Sequence, residues 1–125
     1  MKKENVINSV KIIIFLMVIC GTIIANEKES IKETNEYKIV VTKDKERTTI
    51  STQGKAGYHC NTLYPWKLTV LGNKGEKSLK KENATDFSER KVTFIVLKED
   101  GKNATLKLSV CNDKQCIMKT EKFSL

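Results

Sequence analysis

Two cysteines near the C-terminal end have the spacing best suited to chemistry. Cys111 and Cys116 flank the polar segment Asn-Asp-Lys-Gln, and alternating apolar residues precede and follow it. Because Asn and Asp favour turns, this pattern predicts a β-hairpin with the two cysteines facing each other at the end of its strands. Facing residues of a hairpin have Cα atoms about 5.5 Å apart, a separation that suits a disulfide. The sequence therefore predicts a Cys111–Cys116 bond.

The predicted bond has two interpretations. Closing so short a loop removes little entropy from the unfolded chain and stabilises the fold by about 2 kcal/mol at most, so the bond is a modest hairpin staple. A disulfide at a hairpin end is also accessible to an attacking thiolate, as thiol–disulfide exchange requires. The residues alone leave both interpretations open.

A second group of interest lies upstream, in the run Gly57-Tyr58-His59-Cys60-Asn61, which Pro65 follows. His59 is the only histidine of the chain, and it is either a general base, a residue that tunes a thiol, or a structural residue. Cys60 makes the number of cysteines beyond the N-terminal segment odd. It is therefore either a buried, inert free thiol or an intermolecular link.

Other kinds of site have no support in the sequence. Hydrolase motifs and phosphate-binding loops are missing, and two cysteines with one histidine lack the ligand set and spacing of a zinc site. We therefore expect no metal and no cofactor. The net charge of +8 comes from lysines that are spread along the chain without interleaved aromatic residues, so we expect no nucleic-acid partner.

Residues 1–25 have the layout of a secretory signal peptide. Lys2 and Lys3 precede a mainly apolar run from Ile12 to Ala25, which is shorter than the roughly 20 residues that span a bilayer. Cleavage after Ala25 would leave an exported protein in the periplasm or cell envelope, where disulfides persist. Lipidation at Cys20 and an uncleaved anchor are the alternatives, and only these two would attach the protein to a membrane.

The rest of the chain predicts strands. Residues 26–36 are polar and charged and are expected to form a flexible leader. Beyond them, alternating and β-branched runs are separated by turn residues, and no long helical period occurs. We predict an all-β fold, an immunoglobulin-like β-sandwich of about seven short antiparallel strands over residues 37–125. The runs that carry this prediction are Tyr37–Thr42, Arg47–Thr52, Pro65–Leu71, Lys91–Leu97, Thr105–Cys111 and Ile117–Leu125.

The Gly57–Asn61 run with Pro65, together with Lys107–Cys111 and Cys116, resembles the periplasmic N-terminal domain of the thiol:disulfide interchange protein DsbD and short exported proteins related to it. That family has an immunoglobulin-like fold. Its cysteine pair receives electrons from a membrane domain and passes them to periplasmic thioredoxin-like proteins. Two departures stand out: the family separates its pair by five residues where this chain has four, and Cys60 has no counterpart.

The resemblance implies roles for particular residues. Cys111 and Cys116 would be the exchange pair, while Gly57, His59, Asn61 and Pro65 would form a structural motif that sets up the strand beginning at Pro65. The partners of this protein would be a thioredoxin-like periplasmic protein or a membrane electron donor.

Two functions follow as hypotheses. The first is a thiol–disulfide exchange module that needs no cofactor, because the disulfide itself carries the electrons. The alternative is a non-catalytic immunoglobulin-like binding or envelope protein, in which the bond only staples the hairpin and a sheet edge recruits a protein partner by strand addition.

Overall fold

The computed structural model describes residues Lys28–Leu125, which form ten β-strands and two single 3₁₀ turns. The strands are β1 (Lys28–Glu33), β2 (Tyr37–Lys43), β3 (Arg47–Gly54), β4 (His59–Cys60), β5 (Lys67–Gly72), β6 (Gly75–Leu79), β7 (Asp86–Phe87), β8 (Val92–Leu97), β9 (Asn103–Cys111) and β10 (Cys116–Ser124). The 3₁₀ turns are Lys81–Asn83 and Lys98–Asp100. No helix in this part of the chain is long and apolar enough to cross a membrane.

The strands form two antiparallel sheets. Sheet A has the order β1-β2-β3-β8-β7, and sheet B has the order β10-β9-β5-β6. The short β4 pairs with β9 beyond the end of β5, on the same side of β9. Strands β2, β3, β8 and β7 thus follow the A-B-E-D order of an immunoglobulin domain, and β10, β9, β5 and β6 follow G-F-C-C′. The predicted immunoglobulin-like sandwich is confirmed.

The core lies between the two sheets and is built by the alternation that the sequence shows. Sheet A contributes buried residues from β2, β3 and β8, and sheet B contributes them from β5 and β9, with Trp66 just before β5. The faces predicted for three strands are confirmed. The buried side chains of these faces are Trp66, Leu68 and Val70; Val92, Phe94 and Val96; and Leu106, Leu108 and Val110.

A polar contact joins the two sheets at one edge. The hydroxyl of Tyr37 on β2 donates a hydrogen bond of 2.8 Å to the Glu121 carboxylate on β10. Lys32 on β1 approaches the other oxygen of that carboxylate at 3.0 Å. Burial and the neighbouring carboxylate both raise the pKa of Tyr37, so its hydroxyl keeps its proton and remains a donor.

Four strands were not expected from the sequence. Lys28–Glu33, within the segment predicted as a flexible leader, forms β1 and pairs with β2 along its whole length. The polar segment between the predicted strands Pro65–Leu71 and Lys91–Leu97 forms β6, the first 3₁₀ turn and β7, and β4 lies between the predicted strands Arg47–Thr52 and Pro65–Leu71. Strands β1 and β6 lie at sheet edges and are almost wholly exposed, so they bury no apolar face that a sequence pattern could reveal. The predicted signal peptide and Cys20 lie outside the described residues.

Candidate functional site

The β9–β10 hairpin presents the cysteine pair at its end, and Asn112 shapes the turn. The Asn112 side-chain oxygen accepts hydrogen bonds from the backbone N–H groups of Lys114, at 2.9 Å, and Gln115, at 2.8 Å. The Asn112 N–H donates to the Gln115 carbonyl at 2.9 Å. This Asx turn reverses the chain at Asp113 and Lys114 and brings Cys116 opposite Cys111.

The predicted disulfide between Cys111 and Cys116 is present. The Cα atoms lie 4.0 Å apart, closer than the predicted separation. Asn112 and Gln115 form the hydrogen-bonded pair next to the turn, so the cysteines occupy the following, non-hydrogen-bonded position, where facing strands approach most closely. Cys116 is exposed, whereas Cys111 is only 7% exposed. One sulfur of the bond therefore belongs to a residue that solvent reaches freely.

Strand β4 places His59 beside this bond. His59 pairs with Cys111 on β9, and Cys111 pairs with Cys116 on β10. Directly facing residues of antiparallel strands project from the same side of a sheet, so the three side chains form one row across the outer face of sheet B. His59 is exposed. We call His59, Cys111 and Cys116 the outer row.

A tight turn supports the outer row from the side of sheet A. Ala56 and Gly57 both have positive φ, 51° and 86°, and the Tyr58 N–H donates to the Lys55 carbonyl at 2.9 Å. This turn carries the chain from β3 into β4. At its end, the Tyr58 hydroxyl accepts a hydrogen bond of 3.3 Å from the Gln115 side chain. The turn before His59 and the hairpin loop between the cysteines are therefore in contact.

Asn61 fixes the chain after β4. Its N–H donates to the Ser109 carbonyl at 2.9 Å, and its side-chain amide donates to the Ser109 hydroxyl at 3.3 Å. The Asn61 carbonyl accepts a hydrogen bond of 2.8 Å from the Trp66 indole. Asn61 thus ties the 61–66 loop to β9 and anchors the buried Trp66 at the start of β5. Pro65 lies exposed in this loop.

Cys60 is separate from the outer row. It follows His59 on β4, so its side chain points to the opposite face and into the core, where it is fully buried. The thiol donates to the Thr52 carbonyl with a sulfur–oxygen distance of 3.6 Å. Burial raises the pKa of the Cys60 thiol to about 11. Within the described residues Cys60 forms no disulfide, and its location does not bring it to the Cys111–Cys116 bond.

Sequence reasoning named the members of the outer row but did not predict their adjacency. It also missed Tyr58 and Gln115 as contacts, although both lie inside the motifs already singled out. The missing information is the pairing of β4 with β9, which joins residues about fifty positions apart through a strand of only two residues. In residues 28–125 no group of three or more His, Cys, Asp or Glu side chains is arranged to hold a metal ion.

Comparison with known proteins adds no identification. No protein-family model, no curated protein and no solved structure matches this chain.

Proposed function

We propose that this protein is a thiol–disulfide exchange module whose working group is the Cys111–Cys116 bond. The observation that carries the proposal is the outer row, in which an exposed cysteine, a buried cysteine and an exposed histidine lie side by side at a hairpin end. An imidazole beside the bond can donate a hydrogen bond to a departing thiolate, which supports an exchange reaction.

The exposure of the two cysteines suggests the order of events. A thiolate of a reduced partner attacks the sulfur of Cys116, the sulfur–sulfur bond breaks, and its electron pair leaves on Cys111 as a thiolate. A second thiolate of the partner then attacks the partner's own sulfur in the mixed disulfide and releases Cys116 as a thiolate. Cys111 and Cys116 are reduced, the partner is oxidised to a disulfide, and the two thiolates take up protons from water or from the partner's thiols.

His59 would act on the leaving sulfur. A thiolate at Cys111 is partly removed from solvent, so it gains from a neighbouring hydrogen-bond donor or positive charge. His59 is the residue opposite Cys111 and can supply either. The partner that reduces the bond would be a membrane electron donor with two thiols, and the same steps in reverse would pass the electrons on to a thioredoxin-like protein. Export to the periplasm or cell envelope remains part of this proposal.

A second candidate function rests on a different observation. All six residues of β1 are exposed, and among the residues that the structure describes this strand forms an edge of sheet A. Such an edge can recruit an extended segment of another protein by strand addition. In that case the protein is a binding module, and the disulfide only holds the β9–β10 hairpin.

The redox potential of the Cys111–Cys116 bond distinguishes the exchange module from the binding module. We would equilibrate the full-length protein in graded glutathione and dithiothreitol buffers, alkylate the free thiols and measure the masses, with Cys60→Ser as background. Exchange predicts a potential near about −200 mV, in the range of oxidising carriers. A bond that remains oxidised below about −300 mV would be structural and would favour the binding module.

The role of His59 needs a matched pair of variants. If His59 stabilises the reduced form, His59→Gln shifts the potential to more negative values, by about 30 mV for a tenfold change in the equilibrium constant. Lys114→Gln removes a positive charge from the hairpin loop itself and serves as the control. Equal shifts in the two variants would mean that general charge, and not the outer row, sets the potential.

A further inference from the structure

A groove on sheet B lies apart from the outer row. It has a volume of about 670 Å³ and runs between the 62–67 loop and the residues that follow β6. Leu63 stands at its margin and is 95% exposed, the most exposed large apolar side chain of the described residues. The side-chain oxygen of Asn61 accepts a hydrogen bond of 3.2 Å from the Leu63 N–H, so the backbone that presents this leucine is held in place.

Four lysines line the same groove, namely Lys67, Lys80, Lys81 and Lys107, and Glu82 is the one acidic residue of the lining. Lys67 on β5 lies directly opposite Lys107 on β9, an arrangement that is destabilising for like charges. None of the four forms an ion pair with an acidic side chain of residues 28–125. Four lysines thus face a single carboxylate, and the groove has an excess of positive charge within the described part of the chain.

We propose that this groove binds an acidic, extended protein segment that carries an apolar side chain. Carboxylates of the segment would lie between Lys67 and Lys107 and beside Lys80 and Lys81, and would relieve the repulsion between the facing pair. An apolar side chain of the segment would cover Leu63. This proposal concerns binding and does not depend on thiol–disulfide exchange.

The shape of the site favours a protein segment over an anionic membrane. A planar bilayer contacts protruding surfaces, whereas the lysines line a recess of about 670 Å³. The location also suits a protein partner. Lys107 and Cys111 both project from the outer face of β9, about 14 Å apart at the strand rise of 3.4 Å per residue. A partner held in the groove could therefore also contact the hairpin end.

The test uses the full-length protein and a short fluorescent peptide that alternates Glu with Leu. Fluorescence anisotropy should show binding that weakens as salt is added, since the attraction is between charges. The same peptide with Gln in place of Glu should bind at least about tenfold more weakly. Equal binding of the two peptides would overturn the proposal, because charge would then play no part.

Matched variants locate the site. Lys67→Gln with Lys107→Gln should weaken binding of the Glu–Leu peptide about tenfold, and Leu63→Ser should also weaken it. Lys45→Gln with Lys102→Gln removes two exposed lysines outside the groove, lowers the net charge equally and should leave binding almost unchanged. An equal loss of peptide binding in both double variants would show that only net charge matters. It would overturn the proposal that the groove is the binding site.

Two further measurements complete the test. The Lys67→Gln, Lys107→Gln protein should melt at the same temperature as the native protein or higher, because a repulsive pair is removed. Vesicles of phosphatidylglycerol that displace the peptide, and that this double variant no longer binds, would assign the groove to lipid headgroups and overturn the assignment to a protein segment.

Discussion

At the scale of single residues, β4 separates two neighbours that could both do chemistry. His59 projects to the outer face beside the disulfide, while Cys60 projects into the core. Strand geometry alone produces this division, since consecutive side chains point to opposite faces. The same geometry keeps Cys60 away from Cys111 and Cys116. Of the three cysteines in the described residues, an exchange reaction at the hairpin would therefore involve only two.

The buried thiol of Cys60 predicts a particular loss of stability at alkaline pH. Its pKa is raised from 9.0 to about 11 in the folded protein, so the unfolded chain releases this proton first. The resulting stabilisation is complete below pH 9.0 and is lost as the pH rises to about 11. The shift corresponds to about 2–3 kcal/mol. Urea unfolding of the native protein should show this extra fall relative to Cys60→Ala.

The comparison with Cys60→Ala matters because all other ionisable groups are the same in both proteins, so their effects cancel in the difference. Parallel curves of unfolding free energy against pH would show that the Cys60 thiol does not carry the effect.

The turn at residues 55–58 offers a second prediction at this scale. Ala56 has a φ of 51°, a conformation that strains side chains bearing a Cβ atom. Ala56→Gly should therefore leave the free energy of unfolding unchanged or raise it by up to about 1 kcal/mol, despite the flexibility that glycine adds to the unfolded chain. Thermal unfolding is the measurement.

The neighbouring position provides the opposite case. Gly57 has a φ of 86°, so Gly57→Ala should destabilise the protein by about 1–2 kcal/mol. The space around Gly57 is open, which leaves the backbone conformation as the cause. A gain in stability from Gly57→Ala would contradict the positive φ of this turn.

At the scale of elements, five of the six strands that the sequence predicted bury one face, and the sixth, β10, only partly buries apolar residues such as Ile117 and Phe123. β5, β8 and β9 alternate between core and surface, and that alternation is readable in the residues themselves. β1 and β6 were missed because they bury no apolar face, and each is held by one neighbouring strand together with surface contacts such as Lys32–Glu121 and Lys77–Asp100. β4 and β7 were missed because two residues are too few to show any period.

The hairpin end shows which parts of a site can be predicted. The β9–β10 turn is local, so Asn112 and the cysteine spacing were enough to predict the disulfide. The approach of His59 is not local, because it depends on how far the 55–58 turn carries the chain from sheet A to sheet B. The groove could likewise not be predicted from the sequence, because Lys67 and Lys107 become neighbours only through the register between β5 and β9.

The contact between β2 and β10 yields a prediction about the cohesion of the two sheets. The Tyr37 hydroxyl bonds to the Glu121 carboxylate, and the tyrosine is 1% exposed. Tyr37→Phe keeps the ring in the core but leaves that carboxylate with one donor fewer. We expect a loss of about 1–3 kcal/mol, the range for a hydrogen bond to a charged group, measured by urea unfolding.

Tyr58→Phe provides the control for this substitution. It also removes a hydroxyl, but that group only accepts a bond from the exposed Gln115 side chain, so the change should cost much less. Equal losses in the two variants would mean that the Tyr37–Glu121 bond does not join the sheets.

At the scale of the whole molecule, the immunoglobulin-like sandwich places its two candidate surfaces on one sheet. Sheet B carries the outer row and the groove on its outer face, whereas β1 of sheet A provides the edge strand. One end of this edge strand, at Lys28, pairs with Lys43. The other end, at Glu33, pairs with Lys38 and lies near the turn before β2. The contacts of Lys55 with Glu33 and with the Thr34 carbonyl bring that second end close to the 55–58 turn, and so to the side of the molecule where the outer row lies.

The excess of positive charge makes a prediction for the molecule as a whole. The chain has a net charge of +8, and in each of the four ion pairs of the described residues at least one partner is exposed to solvent, so each pair contributes little. Self-repulsion among the lysines should therefore outweigh the ion pairs, and sodium chloride, which screens both, should raise the melting temperature. A gain of about 1 kcal/mol would correspond to about 4–8 °C.

The double variant Lys67→Gln, Lys107→Gln tests where that repulsion is concentrated. It removes one directly facing pair of like charges, so it should melt higher than the native protein at low salt and show a smaller rise when sodium chloride is added. Lys45→Gln with Lys102→Gln lowers the net charge equally but removes no pair of facing like charges. The rise of its melting temperature with sodium chloride should therefore stay closer to that of the native protein. A melting temperature of the native protein that falls with salt would show that contacts such as Lys32–Glu121 outweigh the repulsion.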